Sequence, residues 1–202
     1  MKGLKKDYFI DENRELYQHP DHFHFNTDTK LLACFMNIRK RERVLDIGTN
    51  NGVLLLEADL TDVKELIGVE IQDKAVEVAQ INLEKYAHHP FSLYNCPVQE
   101  LEIEPVDVII SNPPYFRENA TNPEIKMNMR QLGRIEVNLT LEDLICHAHR
   151  LLKSNGTDAI EVKCDVTNVE DIRNACRVTE LDFGKVDVLI NCAAAAKNAG
   201  AL

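Results

Sequence analysis

Apolar residues recur along this chain in two alternating rhythms. Four short runs, Arg43–Ile47, Leu66–Ile71, Phe91–Asn95 and Val106–Ser111, read as strands, and the last is an apolar run of the sort a parallel sheet buries on both faces. Helical stretches lie between and around them. Residues 30–40 place apolar side chains at 31, 32, 35, 36 and 38. Residues 51–58 open a helix that 62–66 can continue. Lys74–Tyr86 sets Ala75, Val76, Val78, Ala79, Ile81, Asn82 and Leu83 broadly on one side. A further helix starts at Thr140, an N-cap with Asp143 three residues on. It repeats Leu141, Leu144, Ile145, Ala148, Leu151 and Leu152, has Lys153 in its last turn and stops at Gly156. Two more strands, Ala159–Cys164 and Val186–Asn191, flank a helix at about 169–182. Residues 1–29 show no such rhythm and read as irregular.

Repeated strand–helix units predict a doubly wound α/β domain with a mostly parallel sheet and helices on both faces. With strands numbered from Arg43–Ile47, right-handed crossovers predict the order 3-2-1-4-5-6. Residues 1–40 are then a lead-in with its helix, 41–156 a core, and 157–202 a β-α-β segment completing the sheet. The length of 202 residues suits one such domain.

Composition narrows the function. The net charge of −10 disfavours holding nucleic acid over a wide surface. Residues 1–43 are more basic, with nine Lys or Arg against seven Asp or Glu. That segment can meet phosphate or simply be a solvated, mixed-charge lead-in. No apolar run approaches the ~18 residues that cross a bilayer, and Met1–Asp7 is too polar for a signal peptide. A cytoplasmic protein without a membrane partner is expected. None of the six cysteines forms a Cys-x-x-Cys pair, so buried reduced thiols are expected, with no metal site.

Three strand ends carry the candidate chemistry. After the first strand, Asp46-Ile47-Gly48-Thr49-Asn50-Asn51-Gly52 is a glycine-rich turn feeding a helix. Gly48 and Gly52 can take positive φ without a Cβ to block a ligand, and Asn50 and Asn51 tolerate the left-handed region better than most residues. Asp46 can accept hydrogen bonds from the loop or from an ammonium group. A generic nucleotide loop or a structural turn also fits this stretch. After the second strand, the Glu70 carboxylate can accept both hydroxyls of an adenosine ribose, or be a surface acid at a strand end. After the fourth strand stands Asn112-Pro113-Pro114-Tyr115. An exocyclic amine conjugated to a ring is a poor nucleophile. Acceptors on its two N–H groups draw it toward a tetrahedral, more nucleophilic geometry. The Asn112 side-chain carbonyl and the Pro113 backbone carbonyl are such acceptors, held in place by proline. Tyr115 can stack on a flat base.

These residues resemble the Rossmann-like methyltransferases. That family's first motif is acid-x-Gly-x-Gly-x-Gly, with Asn50 here in place of the middle glycine. An acid is usual after its third strand, where Pro97 stands here. Residues 1–156 are similar, more narrowly, to bacterial tRNA adenine-N6 methyltransferases. The stretches Phe23–Ala33, Asp46–Gly52, Ile67–Gln72, Asn112–Phe116 and Thr140–Gly156 carry this resemblance. It implies S-adenosylmethionine as cofactor, bound by Asp46, Gly48, Asn50, Gly52, Glu70 and Ile71. It also implies Asn112, Pro113, Pro114 and Tyr115 as catalytic, an unpaired or flipped adenine of a tRNA partner as acceptor, and the Phe25–Leu32 segment over the cofactor. Lys126, Arg130 and Arg134 can meet phosphate or be solvated.

From about Thr157 the resemblance changes. Ala159–Thr167 and Phe183–Ala194 resemble the middle of a short-chain dehydrogenase/reductase. In that family Asp165 would lie near a cofactor adenine, and Asn191-Cys192-Ala193-Ala194 would match a strand-end motif. The family's glycine-rich loop and Tyr-x-x-x-Lys pair have no counterpart. A chimera with a seam near Asn155–Thr157 is therefore expected, either an active adenine-N6 methyltransferase or a recombined scaffold that binds cofactor without evolved turnover.

Overall fold

The computed structural model describes residues 3–9, 14–20, 24–112, 116–117, 135–136, 139, 141–153, 170, 173, 174, 177 and 188–190. Its elements are β1 (Lys5–Tyr8), β2 (Glu15–Gln18), α1 (Thr27–Phe35), β3 (Arg43–Ile47), α2 (Val53–Ala58), β4 (Glu65–Val69), α3 (Asp73–Tyr86) and β5 (Phe91–Tyr94). Then come β6 (Val108–Ser111), β7 (Phe116–Arg117), β8 (Ile135–Glu136), α4 (Leu141–Leu151) and β9 (Val188–Ile190).

Five strands form one parallel sheet in the order β5-β4-β3-β6-β9. β3 is central, with Leu45 level with Ile67 on one side and with Ile109 on the other. The alternation along each strand separates two cores. Val44, Leu66, Val108 and Ile110 pack on one face with α1, α2 and Leu83 of α3. Leu45, Ile47, Ile67, Val69 and Ile109 pack on the other with Leu144, Ala148 and Leu151 of α4 and with Val98, Leu101 and Val106. A sheet covered on both faces has no polar side to solvate, which is why its strands read as continuous apolar runs.

The doubly wound α/β reading holds, and β3 spans Arg43–Ile47 as read. The strand order is corrected. Val188–Ile190 pairs directly with Ile109–Ser111, so it takes the place next to β6 that Ala159–Cys164 was expected to fill. Both segments are apolar runs able to bury two faces, and local pattern does not say which one docks. Residues 159–164, Thr140 and Gly156 lie outside the described residues. Glu170, Arg173, Asn174 and Arg177 are helical, within the helix read at 169–182.

Other boundaries move for identifiable reasons. α1 starts at Thr27 because Asn26 caps it: the Asn26 side chain accepts from Thr29 N–H and the Thr29 hydroxyl accepts from Asn26 N–H. Residues 62–66 do not continue α2. Arg41 N–H donates to the Asp62 carbonyl and Lys64 N–H to the Glu42 carbonyl, which draws this segment toward the lead-in of β3. Residues 1–29 are not wholly irregular, since β1 and β2 form an antiparallel hairpin. Leu16 of β2 is fully buried, and Phe9 meets Phe25 edge to face at 5.0 Å. The thiols of Cys34 and Cys146 are exposed rather than buried, because their helices turn them outward, as α4 does Ile145.

Two local constraints give tests. Gly68 in β4 has no room for a side chain: a Cβ there would stand 2.6 Å from Leu93 Cδ2 and 2.9 Å from Thr49 Cγ2. Gly68→Ala is expected to destabilise the fold by about 1–3 kcal/mol in urea denaturation. The buried Asp59 carboxylate, just past α2, accepts from the backbone N–H of His88 and His89 at 2.8 and 3.1 Å and contacts both Nδ1 atoms at 2.9 and 2.8 Å. Burial pushes Asp59 up, but these hydrogen bonds outweigh it and hold the carboxyl below its ordinary value. The hydrogen bond to Asp59 in turn raises His89 above the ordinary histidine value. The Asp59 contribution is present above the ordinary carboxylate range and is lost as pH falls through its lowered value. The His89 contribution is present below the ordinary histidine range and is lost as pH rises through its raised value. Asp59→Asn is expected to cost about 1–3 kcal/mol and to flatten the pH dependence of the urea midpoint at both ends of that window.

Candidate active site

Because all five strands run the same way, their C-terminal ends meet at one edge of the sheet. β3 ends there in a turn with three positive φ angles, at Gly48 (74°), Asn50 (50°) and Gly52 (76°). The N–H groups of Gly48 and Thr49 both donate to the Val69 carbonyl, at 2.9 and 3.1 Å, so the turn bends over the end of β4. Space beside Gly48 is open where a Cβ would stand.

Glu70, the residue after β4, ties the two strand ends together. One carboxylate oxygen accepts from Asn50 N–H and the other from Gln72 N–H, each at 3.0 Å. The carboxylate is nearly buried, and burial raises its pKa despite those hydrogen bonds. A carboxylate has about four lone-pair sites, more than these backbone donors use. Ile71 and Tyr94 stand exposed beside it, at the ends of β4 and β5. Asn95, next along β5, donates its side-chain amide to the Glu70 carbonyl at 2.9 Å. Pro97, where the family pattern places an acid, caps the short 3₁₀ turn Val98–Glu100.

Asp46 behaves differently. It is 1% exposed, yet among the described residues neither carboxylate oxygen has a hydrogen-bond partner. The loop does not supply the hydrogen bonds that its position suggested. Burial pushes its pKa up to about 7, and the Glu70 charge adds to the rise. The Thr49 hydroxyl pulls the other way, although Thr49 Oγ1 does not reach hydrogen-bonding geometry. A buried carboxyl left this way is stabilised by a cation brought to it.

Asn112 follows β6 on the same edge, and its Nδ2 donates to Thr29 Oγ1 of α1 at 3.3 Å. The buried Ser111 hydroxyl donates to the Ile47 carbonyl at 3.0 Å and fixes the end of β6 to that of β3. Pro113, Pro114, Tyr115, Lys126, Arg130 and Arg134 lie outside the described residues. The six residues Asp46, Gly48, Asn50, Gly52, Glu70 and Ile71 are thus brought to one edge, and Asn112 joins them.

Sequence reasoning missed the residues that hold this edge in shape. Asn82, fully buried on α3, donates Nδ2 to the Asn51 and Tyr17 carbonyls at 2.9 and 3.0 Å and accepts from Tyr17 N–H at 2.8 Å. Gln18 Oε1 accepts from Asn51 Nδ2 at 3.4 Å and from Phe25 N–H at 3.1 Å. The signal for Asn82 was an amide on the apolar side of a helix. Asn51 reads only as a turn residue, and Gln18 gives no signal. At the opposite sheet edge, Arg43, Lys64, Glu65, Glu104, Pro105 and Lys153 line a shallow, open depression. Its charges are largely paired, Arg43 with Glu65 at 2.9 Å and Lys153 with Asp107 at 2.5 Å.

A parallel α/β sheet, a glycine turn after its central strand and an acid tied to that turn define a nucleoside-binding class of domain. Residues 21–172 match the methyltransferase small domain, and the chain belongs to that family, whose cofactor is S-adenosylmethionine. The match runs past residues 155–157. The chain is 29% identical over 150 residues to a tRNA1(Val) (adenine(37)-N6)-methyltransferase of Bacteroides fragilis, covering 70% of this chain and 61% of that one. A protein of the same description from Dyadobacter fermentans is 33% identical over 133 residues, covering 64% and 54%. The chain thus spans less than two thirds of the length of these relatives. The crystal structure of the ribosomal protein L11 methylase from Lactobacillus delbrueckii has a TM-score of 0.48 at 20% identity, covering 69% of this chain and 62% of that one.

Asp46 gives a test with two opposed readouts. Its folded pKa is raised from 3.8 to about 7, so folding favours the protonated form and the stability of the ligand-free protein falls as pH rises between those values. At neutral pH, Asp46→Asn is expected to raise stability by on the order of 1–3 kcal/mol in urea denaturation. The same variant is expected to weaken S-adenosylmethionine about tenfold or more in calorimetric titration, by loss of a charge-assisted hydrogen bond.

Proposed function

We propose that this domain transfers a methyl group from S-adenosylmethionine to the N6 amino group of an adenine in tRNA. The observation that carries the reading is the position of Asn112, at the end of β6 on the edge shared with the Asp46 loop and Glu70. The family supports methyl transfer, and the relatives' names support an adenine of tRNA as acceptor.

The described residues fit the cofactor. The partnerless Asp46 carboxylate suits an ammonium group, and the open side of Gly48 admits a ligand against the backbone. The spare lone pairs of Glu70 suit a ribose diol, and Ile71 and Tyr94 offer apolar surface to an adenine. Asn50 and Gly52 shape the turn. When bound, S-adenosylmethionine supplies a methyl group already activated on a sulfonium, so no strong general base is needed. Asn112, with the Pro113 carbonyl, accepts from the target amine and holds its lone pair toward that methyl group. Pro114 stiffens the turn, and Tyr115 stacks on the base. Positioning then supplies much of the rate.

We read residues 157–202 as completing the sheet, with β9 as their contribution beside β6. Only the resemblance of Ala159–Thr167 and Phe183–Ala194 supports a reductase origin for them, and the family's reach to residue 172 weighs against a seam at 155–157. A cytoplasmic location accords with a tRNA acceptor. Among the described residues no helix is long and apolar enough to cross a membrane.

Incubation with tRNA and methyl-labelled cofactor, followed by nucleoside mass spectrometry, is expected to yield N6-methyladenosine. Asn112→Ala is expected to lower the yield at least a hundredfold, since it removes an acceptor for the reacting amine. Methylation unchanged by that substitution would remove Asn112 from the mechanism.

A further inference from the structure

An asparagine amide has two ends of opposite polarity, and only its carbonyl can accept from an amine N–H. If Asn112 serves as proposed above, something must decide which end faces the acceptor base. Its own backbone does not, because rotating the amide by half a turn exchanges oxygen and nitrogen at little steric cost.

The hydrogen bonds around the start of α1 make that choice. They begin at the Asp28 carboxylate, which offers only acceptors, and Asn26 Nδ2 donates to it at 3.3 Å. That fixes the Asn26 amide, so its Oδ1 is an acceptor. Oδ1 takes Thr29 N–H at 3.0 Å and the Thr29 hydroxyl at 3.1 Å. The single hydroxyl proton of Thr29 is thereby committed. Toward its other neighbours Thr29 Oγ1 can only accept, and it does so from Asn26 N–H and from Asn112 Nδ2, each at 3.3 Å. Asn112 must therefore turn its NH2 toward Thr29 and its carbonyl the other way.

We propose that Thr29 is a positioning residue for methyl transfer: its spent hydroxyl orients the Asn112 amide so that the carbonyl faces the target amine. This inference rests on the reading of Asn112 given above. Capping of α1 does not account for the contact. The cap is complete between Asn26 and Thr29 alone, whereas the bond to Asn112 crosses from α1 to β6, residues 83 apart in sequence. Thr29 is 3% exposed, so water does not readily replace its hydroxyl.

The test uses Thr29→Val, which keeps the shape and removes the hydroxyl, together with Thr29→Ser, which restores it. Thr29→Ala serves as a second loss variant that does not crowd the site. The first readout needs no turnover. The Asn112 side-chain NH2 pair, assigned in ¹⁵N NMR spectra by its loss in Asn112→Asp, is expected to shift in Thr29→Val and Thr29→Ala and to recover in Thr29→Ser. The second readout is kinetic: kcat falls about tenfold in the two loss variants, the equivalent of one hydrogen bond. KM for tRNA and cofactor affinity stay near wild type, and serine rescues kcat. An Asn112 amide signal unchanged by either loss variant overturns the proposal, as does an altered signal with unchanged kcat. If the wild-type protein transfers no methyl group at all, the functional reading falls, and the NMR signal alone decides whether Thr29 orients Asn112.

Discussion

The parallel register of β3 between β4 and β6 is the constraint on which the rest of this structure depends. With Asp46 level with Gly68 on one side and Ile110 on the other, three strands end at nearly one height. Each then delivers a different group to the same edge: the glycine turn from β3, Glu70 from β4 and Asn112 from β6. A one-residue slip of any strand would exchange its two faces. It would also pull Glu70 away from Asn50 N–H or Asn112 away from Thr29. The apolar alternation that separates the two cores is therefore the same feature that assembles the site.

Polar groups at this edge fall into two kinds, and the difference is informative. Glu70, Asn82, Gln18 and Asn51 have hydrogen bonds made within the protein, and most of those bonds join segments distant in sequence. Asp46 is buried as deeply and has none. Desolvation without compensation is costly wherever it occurs, so it persists here at the expense of the ligand-free fold. The satisfied groups build a frame, and the Asp46 carboxyl sits in it without a hydrogen-bond donor among the described residues. A cationic ligand is the natural complement.

Much of this was legible locally. A strand that must bury both faces shows itself as an apolar run, so Arg43–Ile47 could be read to the residue. The helix 73–86 announced itself by its period. Gly48, Asn50 and Gly52 after β3 marked positive φ because few other residues adopt it cheaply, whereas Asn51, read the same way, does not take it and serves the loop through its side chain and carbonyl. The errors lie where distant segments compete for the same backbone groups. Residues 62–66 have helical composition, but Lys64 N–H pairs with Glu42. The hairpin β1–β2 escaped notice because its first strand is exposed along its length and carries no apolar alternation.

Taken alone, the sequence determined the class of fold, the position of the glycine turn, the acid after the second strand and the Asn-Pro-Pro-Tyr strand end. These depend on residue type and spacing within a few neighbours. Tertiary structure alone decided which late strand docks beside β6, since both candidates read as apolar runs. It also decided that Glu70 would bind the loop, that Asp46 would have no hydrogen-bond partner among the described residues, and that Thr29 would meet Asn112. Hydrogen bonding is short-ranged and directional, so a pairing across 83 residues exists only once the sheet and α1 have brought both groups within about 3 Å.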